Sequence, residues 1–191
     1  MIEAFLKSRH AAWITHGSLL ILTAVYFSLL TWAPIWLAFP TGVLIAHRIG
    51  VLLHDYLHGI PFRNYRTNHA VVGFYDGLLL MFATLEMFRA THLAHHRWLN
   101  TVGDPACEIA NRQKTTRLRD TLAAPEVVQY LSYFWDVLTG HKPYVRRNRV
   151  LLGAMLSTVT LGAWCVSGRP DVVWKMLAIN LFTVGVPVSL R

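Results

Sequence analysis

The feature that most constrains this fold is an uncharged stretch of 38 residues, from His10 to His47, without Asp, Glu, Lys or Arg. At about 1.5 Å per residue, this stretch would form roughly 57 Å of helix, nearly twice the ~30 Å thickness of a hydrocarbon core. One straight membrane helix cannot use that length. Pro34, with a tryptophan on either side of it, marks a turn, because proline breaks helices and tryptophan favours the membrane interface. The stretch predicts a hairpin with spans at about 11–33 and 35–53.

A second hairpin is predicted near the end of the chain. Its spans, 150–168 and 172–190, are apolar and are separated by a short turn that contains glycine and proline, with Lys175 able to extend its amine to the interface. The mean hydropathy is +0.38 and only 15% of the residues are charged. These features predict an all-α integral membrane protein with four spans in two hairpins, organised as one domain over 1–191.

Two further segments, 70–88 and 125–139, are predicted to be interfacial rather than membrane-spanning. The first carries Asp76 and Glu86, and two carboxylates inside a bilayer are costly. The second is rich in aromatic residues, which favour the interface. If 70–88 does not span, 16 of the 18 Lys and Arg residues fall on one side, which the positive-inside rule makes the cytoplasm. The net charge of +8 then indicates a membrane surface as partner and no nucleic acid.

Five of the ten histidines form two clusters. The first cluster is His54 and His58, spaced i, i+4, and the second is His92, His95 and His96, spaced i, i+3, i+4. On a helix, each cluster occupies one face. The predicted topology places both clusters and the N-terminus in the cytoplasm, so all five imidazoles can converge. Imidazoles this crowded would repel one another on protonation unless a cation organised them, so we interpret the five as metal ligands.

Several other residues are secondary candidates for this site. Asp55 and Asp104 are each either a surface charge or a carboxylate that hydrogen-bonds a ligating imidazole and orients it. His47 precedes His54 by seven residues and shares its helix face, so it could also approach. The remaining histidines are predicted to be ordinary interfacial residues: His10, His16, His69 and His141.

The ligand type leaves the metal open, because imidazole suits zinc, copper, iron and nickel. A single zinc site uses about four protein ligands, so five histidines indicate two metals or one metal with spare ligands. Membrane zinc proteases use His-Glu-x-x-His, with the glutamate as general base. Here Asp55 takes that position and is one methylene shorter, which fits a zinc protease poorly.

The two clusters resemble the histidine boxes of membrane-bound fatty acid desaturases. The first box is matched by His-Asp-Tyr-Leu-His-Gly from His54, and the second by Thr-His-Leu-Ala-His-His-Arg-Trp from Thr91, followed by Asn-Thr and Asp-Pro. Asn68 and Gly73, between the boxes, also stand where that family often has them. The resemblance covers about 45–105 by motif and the remainder only by hydropathy.

This resemblance implies a di-iron enzyme whose ligands include all five clustered histidines. It implies two iron ions as cofactor, O₂ as co-substrate, and an electron donor such as ferredoxin or cytochrome b5. Two transmembrane hairpins would anchor a cytoplasmic, histidine-rich cap. The implied reaction is the removal of two hydrogens from the acyl chain of a lipid.

The family pattern also has a third box, HxxHH or QxxHH, after the second hairpin. No histidine follows His141, so we expect the missing ligands beyond Arg191 and a C-terminally incomplete domain. A related di-iron lipid hydroxylase or carotenoid-type oxygenase is an alternative with the same box plan, although the Asn-Thr and Asp-Pro pairs favour a desaturase. A membrane zinc hydrolase and an inactive metal-binding membrane fragment are further alternatives. The identity of the bound metal distinguishes the hydrolase from a di-iron enzyme.

Overall fold

The protein is built from helices. The computed structural model describes residues 9–62, 64–99, 101, 104, 131, 134–141 and 145–189. Its helices are α1 Arg9–Trp32, α2 Ile35–Leu57, α3 Tyr65–Leu78, α4 Thr84–Trp98, α5 Arg147–Val166 and α6 Pro170–Ser189. A short helical stretch also covers 134–138. No strand occurs in the described ranges, so the all-helical prediction is confirmed for them.

Three helices are long and apolar enough to cross a membrane: Ala12–Trp32, Ile35–Leu57 and Arg147–Val166. The chain turns at Ala33 and Pro34, between α1 and α2. α2 continues past the predicted boundary at 53 to Leu57, so that His54 belongs to the same apolar helix. α6 occupies the region of the predicted fourth span, and its passage through a membrane remains a prediction.

The turns of the two hairpins lie side by side. The Lys175 ammonium donates to the backbone carbonyls of Leu30 at 2.8 Å and Ala33 at 3.2 Å. The Arg169 guanidinium donates to the carbonyl of Thr31 at 2.7 Å. The last carbonyls of a helix lack partners within the helix and attract cations, so these contacts stabilise the end of α1. Two basic side chains from the second hairpin thereby join it to the tip of the first.

The predicted segment 70–88 is divided between α3 and α4 instead of forming one helix. Leu80, Phe82 and Ala83 have φ values of 54°, 47° and 70°, in the left-handed region that an α-helix does not use. These residues lie between the end of α3 and the start of α4. Whether the segment lies at the membrane interface remains a prediction.

Polar side chains from the second hairpin form hydrogen bonds with backbone groups between α3 and α4. The Ser157 hydroxyl accepts a hydrogen bond from the Phe82 N–H at 2.9 Å, and the Asn180 amide donates to the Leu79 carbonyl at 2.6 Å. Ser157 and Asn180 lie near the midpoints of α5 and α6. Irregular backbone away from water is tolerated when neighbouring groups supply its hydrogen bonds. The break between α3 and α4 is therefore held inside the helix bundle.

α3 packs closely against α5 at Gly77. A Cβ atom at this position would lie 2.6 Å from the Cβ of Leu156, whereas one at Gly73 would have nothing within 4 Å. We expect Gly77→Ala to lower the free energy of unfolding by about 1–3 kcal/mol through overpacking. Gly73→Ala should leave it unchanged or raise it by up to about 1 kcal/mol, because alanine favours helix. Thermal unfolding of both variants checks this, and equal effects would contradict it.

The predicted interfacial helix 125–139 lies mostly outside the described residues. Its described part includes the helical stretch 134–138. There Val137 is buried in a small cluster with Met87 of α4 and Val150 of α5, while Trp135 is 65% exposed. This stretch therefore packs one side against the two helices and leaves an aromatic side chain outside.

Candidate metal centre

Four imidazoles converge from two helices that are distant in sequence. Nε2 of His92 on α4 lies 2.9 Å from Nε2 of His54 on α2 and 3.1 Å from Nε2 of His58, the residue that caps α2. The Nε2 atoms of His54 and His58 are 3.3 Å apart. Nε2 of His96 is 3.1 Å from Nε2 of His92. The structure thus brings four of the five predicted ligands to one place.

Hydrogen bonding alone cannot explain the triangle formed by His54, His58 and His92. A neutral imidazole nitrogen either carries a proton or offers a lone pair. Among three mutually close nitrogens, at least two must be of the same kind, so at least one pair is not hydrogen-bonded. A cation that accepts all three lone pairs removes this conflict.

The spacing of the triangle also fits a metal ion. Two nitrogens bound to one ion at about 2.1 Å are about 3.0 Å apart in octahedral geometry and about 3.4 Å apart in tetrahedral geometry. The Nε2–Nε2 distances among the three imidazoles run from 2.9 to 3.3 Å. Both the donor set and its dimensions are therefore suited to a metal.

The site keeps its imidazoles in the form that binds metal. The pKa of His92 is lowered to about 4, first by burial and then by the neighbouring imidazoles of His54 and His96. Burial and the same kind of repulsion lower the pKa of His58. Both rings are therefore neutral near pH 7, and neutral imidazole is the ligand form.

His95 turns towards Asp104 rather than into the triangle. Its Nδ1 lies 2.8 Å and 3.0 Å from the two carboxylate oxygens of Asp104. The Asp104 side chain is completely buried, whereas 30% of the His95 side chain is accessible. A carboxylate beside Nδ1 keeps the proton on that nitrogen and leaves the Nε2 lone pair for a metal. Of the two predicted roles of Asp104, this geometry matches that of a carboxylate that orients a ligating imidazole.

Asp55 and His47 do not share this geometry. In the part of the chain that the structure describes, no hydrogen bond joins the Asp55 carboxylate to His54 or His58. His47 is exposed and has no ring contact with the converging imidazoles in the described ranges. Their candidate roles gain no support from these positions.

His16 has specific partners, although the sequence predicts an ordinary interfacial residue. Its Nδ1 forms a hydrogen bond with the hydroxyl of Tyr56. Its ring centroid is 4.3 Å from that of Phe62. Tyr56 lies between the two histidines of the first cluster and points to the other side of α2. His16 therefore supports α2 from behind the candidate site.

A buried polar cluster, which was not predicted from the sequence, precedes the second histidine cluster on α4. Glu86 and Arg89, each 6% exposed, form a two-pronged ion pair with N–O distances of 2.6 and 2.7 Å. The Arg89 guanidinium also donates to the Tyr65 hydroxyl at 3.2 Å. His69 and Arg149 approach Glu86 at 4.0 and 3.8 Å. The spacing of Glu86 and Arg89 by three residues was the available signal.

A comparison with protein families extends over nearly the whole chain. The family model described as fatty acid desaturase matches residues 8–190. The chain belongs to the fatty acid desaturase family. Comparisons with curated proteins and with solved structures give no match. The family resemblance inferred from the histidine boxes is confirmed, and the family makes the chain a lipid-modifying oxidoreductase by class. Its three apolar helices are those of a membrane protein.

We expect this desaturase-family protein to lose stability in acid when it is free of metal. The pKa of His92 falls from 6.5 to about 4 on folding, and that of His69 falls to about 4 as well. The unfolded state therefore takes up protons first, and the free energy of unfolding decreases as the pH is lowered from about 6.5 to 4. Thermal midpoints at about pH 7.5 and about pH 5 check this. His92→Phe should reduce the difference, and equal midpoints in the unsubstituted protein would contradict the prediction.

We further expect Asp104→Asn to weaken metal binding by about 10–100-fold, because the carboxylate acts through His95. Titration of the purified protein with a divalent metal measures the affinity. Asp136→Asn, a change of the same kind at a partly exposed position, is the matched control. Combining Asp104→Asn with His95→Ala should add little to His95→Ala alone, and full additivity would argue against a role through His95.

Proposed function

We propose that this chain is an O₂-dependent desaturase of a lipid acyl chain that acts through a histidine-ligated di-iron centre. The observation that supports this most directly is the convergence of His54, His58 and His92 at Nε2, with His96 adjoining, in a member of this family. His95, held by Asp104, is the fifth proposed ligand. Imidazole suits iron, and acid–base side chains cannot break an unactivated C–H bond, so a redox metal must supply the chemistry.

The proposed reaction converts a –CH₂–CH₂– unit of the acyl chain into –CH=CH–. Two hydrogens leave the substrate with two electrons. A donor such as ferredoxin or cytochrome b5 supplies two further electrons, two protons come from water, and O₂ is reduced to two molecules of water. The iron ions, when bound, would activate O₂, which is the oxidant of the reaction. The protein's own part is to keep His58 and His92 neutral and to orient His95 through the buried carboxylate.

We also propose four membrane spans, with α6 as the fourth, and the histidine site at the cytoplasmic surface. Lys175 and Arg169 join the tips of both hairpins at one end of the bundle. α2 runs from Ile35 at that end to His54 near the other. Most Lys and Arg residues are predicted on the side of the histidines, which favours the cytoplasm by the positive-inside rule.

Labelling of single cysteines tests this topology. Ile60→Cys, beside the first cluster, and Ser167→Cys, at the tip of the second hairpin, are made in a background without the native cysteines Cys107 and Cys165. An impermeant maleimide should label position 167 in intact cells and position 60 only after lysis. Labelling of both positions from the same side would contradict the arrangement.

The enzymatic proposal is tested in cells that lack desaturases and contain an electron donor. The protein that contains this chain should carry iron and convert saturated acyl chains into unsaturated ones. The His54→Ala variant should neither bind iron nor produce unsaturated acyl chains. The His47→Ala variant, changed at an exposed histidine of the same helix, should bind iron and produce unsaturated acyl chains. Hydroxylated lipids would identify a hydroxylase instead. Stoichiometric zinc without iron, or full unsaturation by His95→Ala, would contradict the di-iron proposal.

A further inference from the structure

The helix that carries the second histidine cluster begins inside the protein. α4 starts after Ala83, which is fully buried, has a φ of 70°, and offers no side-chain cap. The first N–H groups of a helix have no partners within the helix and form the positive end of its dipole. When they are buried away from water, such groups need a compensating partner. The start of α4 therefore requires support from another element.

The carboxylate of Asp76 on α3 lies at this helix start. Asp76 is 1% exposed, and neither of its carboxylate oxygens has a hydrogen-bond partner among the described residues. Burial raises its pKa to about 7. The backbone N–H groups of Ala83, Leu85 and Glu86 oppose that rise by favouring the charged form. The carboxylate thus lies close to the first turn of α4 without a hydrogen bond of ordinary geometry, since its Oδ2 and the Cα of Ala83 both lie within 3.1 Å of the position that a Cβ atom of residue 153 would take.

α5 closes the other side of this carboxylate. A Cβ atom at Gly153 would lie 3.0 Å from Oδ2 of Asp76 and 3.1 Å from Cα of Ala83, so a larger residue would push the carboxylate or the start of α4 aside by a few tenths of an ångström. One turn later, the Ser157 hydroxyl donates to the backbone carbonyl of Asp76 at 3.2 Å and accepts from the N–H of Phe82. Three helices therefore meet at Asp76.

Among the groups around Asp76, the positive end of α4 is the main source of electrostatic attraction for its carboxylate. From α4 the ionisable group that acts on it is Glu86, whose charge is paired with Arg89 at 2.6 Å. Gly153 and Ser157, the α5 residues beside it, carry no charge. A buried carboxylate at the positive end of a helix is favourable, and a neutral amide of the same shape loses most of this interaction.

We propose that Asp76 is a positioning residue for the histidine site, because its carboxylate fixes where α4 begins and therefore where the second cluster meets the first. A change of one residue in the helix start moves the following side chains by about 1.5 Å and rotates them by about 100°. Either movement would separate Nε2 atoms that are now 2.9 to 3.3 Å apart. The inference rests on the proposed metal-binding function.

The test uses the full chain in detergent and two measurements. Hydrogen exchange of residues 84–98 in the metal-free protein reports the anchoring of α4. Titration with Co²⁺ at about pH 8, where the Asp76 carboxyl is ionised, reports the geometry of the ligands through affinity and visible absorption. Asp76→Asn keeps the shape and removes the charge. Gly153→Ala crowds the carboxylate from α5, and Lys175→Met removes two distant hydrogen bonds at the hairpin tips as a control for stability alone.

We expect Asp76→Asn to increase exchange in 84–98, to lower the Co²⁺ affinity by about tenfold or more, and to alter the absorption. Gly153→Ala should act in the same direction. Lys175→Met should lower the thermal midpoint while leaving the affinity within about twofold of wild type. Unchanged exchange in both Asp76→Asn and Gly153→Ala would overturn the inference, as would an equal loss of affinity in Lys175→Met. Absence of Co²⁺ binding in the wild type would refute the proposed metal function, while exchange would still decide the role of Asp76.

Discussion

Replacing His92 by alanine is expected to abolish metal loading. Its Nε2 lies within 3.1 Å of the Nε2 atoms of His54, His58 and His96, so its removal takes away the nitrogen that all three approach. The loss of a direct ligand should exceed the 10–100-fold cost of a supporting residue, so we expect the affinity to fall by more than about 100-fold. Elemental analysis of the purified protein measures the metal bound per chain.

The matched control for this substitution is His47→Ala. His47 is an exposed histidine on α2, outside the converging imidazoles. It should retain the wild-type metal content, and helix content by circular dichroism should be unchanged in both variants. Normal metal content in His92→Ala, or equal losses in the two variants, would rule out the proposed ligand set.

Glu86→Gln is expected to cause the largest loss of stability among single changes near the site. The side chains of Glu86 and Arg89 are 8% and 7% accessible, so both charges are buried. Without the carboxylate, the Arg89 guanidinium remains as an uncompensated buried charge, and the cost of breaking such a pair is about 3–5 kcal/mol. Glutamine still accepts a hydrogen bond, so we expect about 3 kcal/mol. Denaturant unfolding in detergent measures this value.

A double variant separates the ion pair from its surroundings. Glu86→Leu combined with Arg89→Met removes both charges and keeps apolar volume, which often leaves stability almost unchanged. We therefore expect the double variant to be more stable than Glu86→Gln alone. If Glu86→Gln matched the wild type, the pair would not be buried as the structure shows it.

The same ion pair explains why part of the fold could not be predicted from the sequence. In the sequence, Asp76 and Glu86 are costs of crossing a membrane, and 70–88 has the pattern of a single segment. In the structure Glu86 is neutralised by Arg89, and Asp76 faces the start of α4. Each compensation depends on how the helices pack and on the left-handed residues Leu80, Phe82 and Ala83, which the periodicity of the sequence does not predict.

The sequence by itself determined the first hairpin and the composition of the two histidine clusters. The rise of a helix and the thickness of a bilayer are constants, so the length of 10–47 without charge requires a turn. Helical spacing likewise places His54 with His58 on one face. Only the tertiary structure decided that three Nε2 atoms form a triangle, that His95 turns to Asp104, and that Asp76 lies at the start of α4. Local patterns assign faces to helices, whereas distances between helices depend on long-range packing.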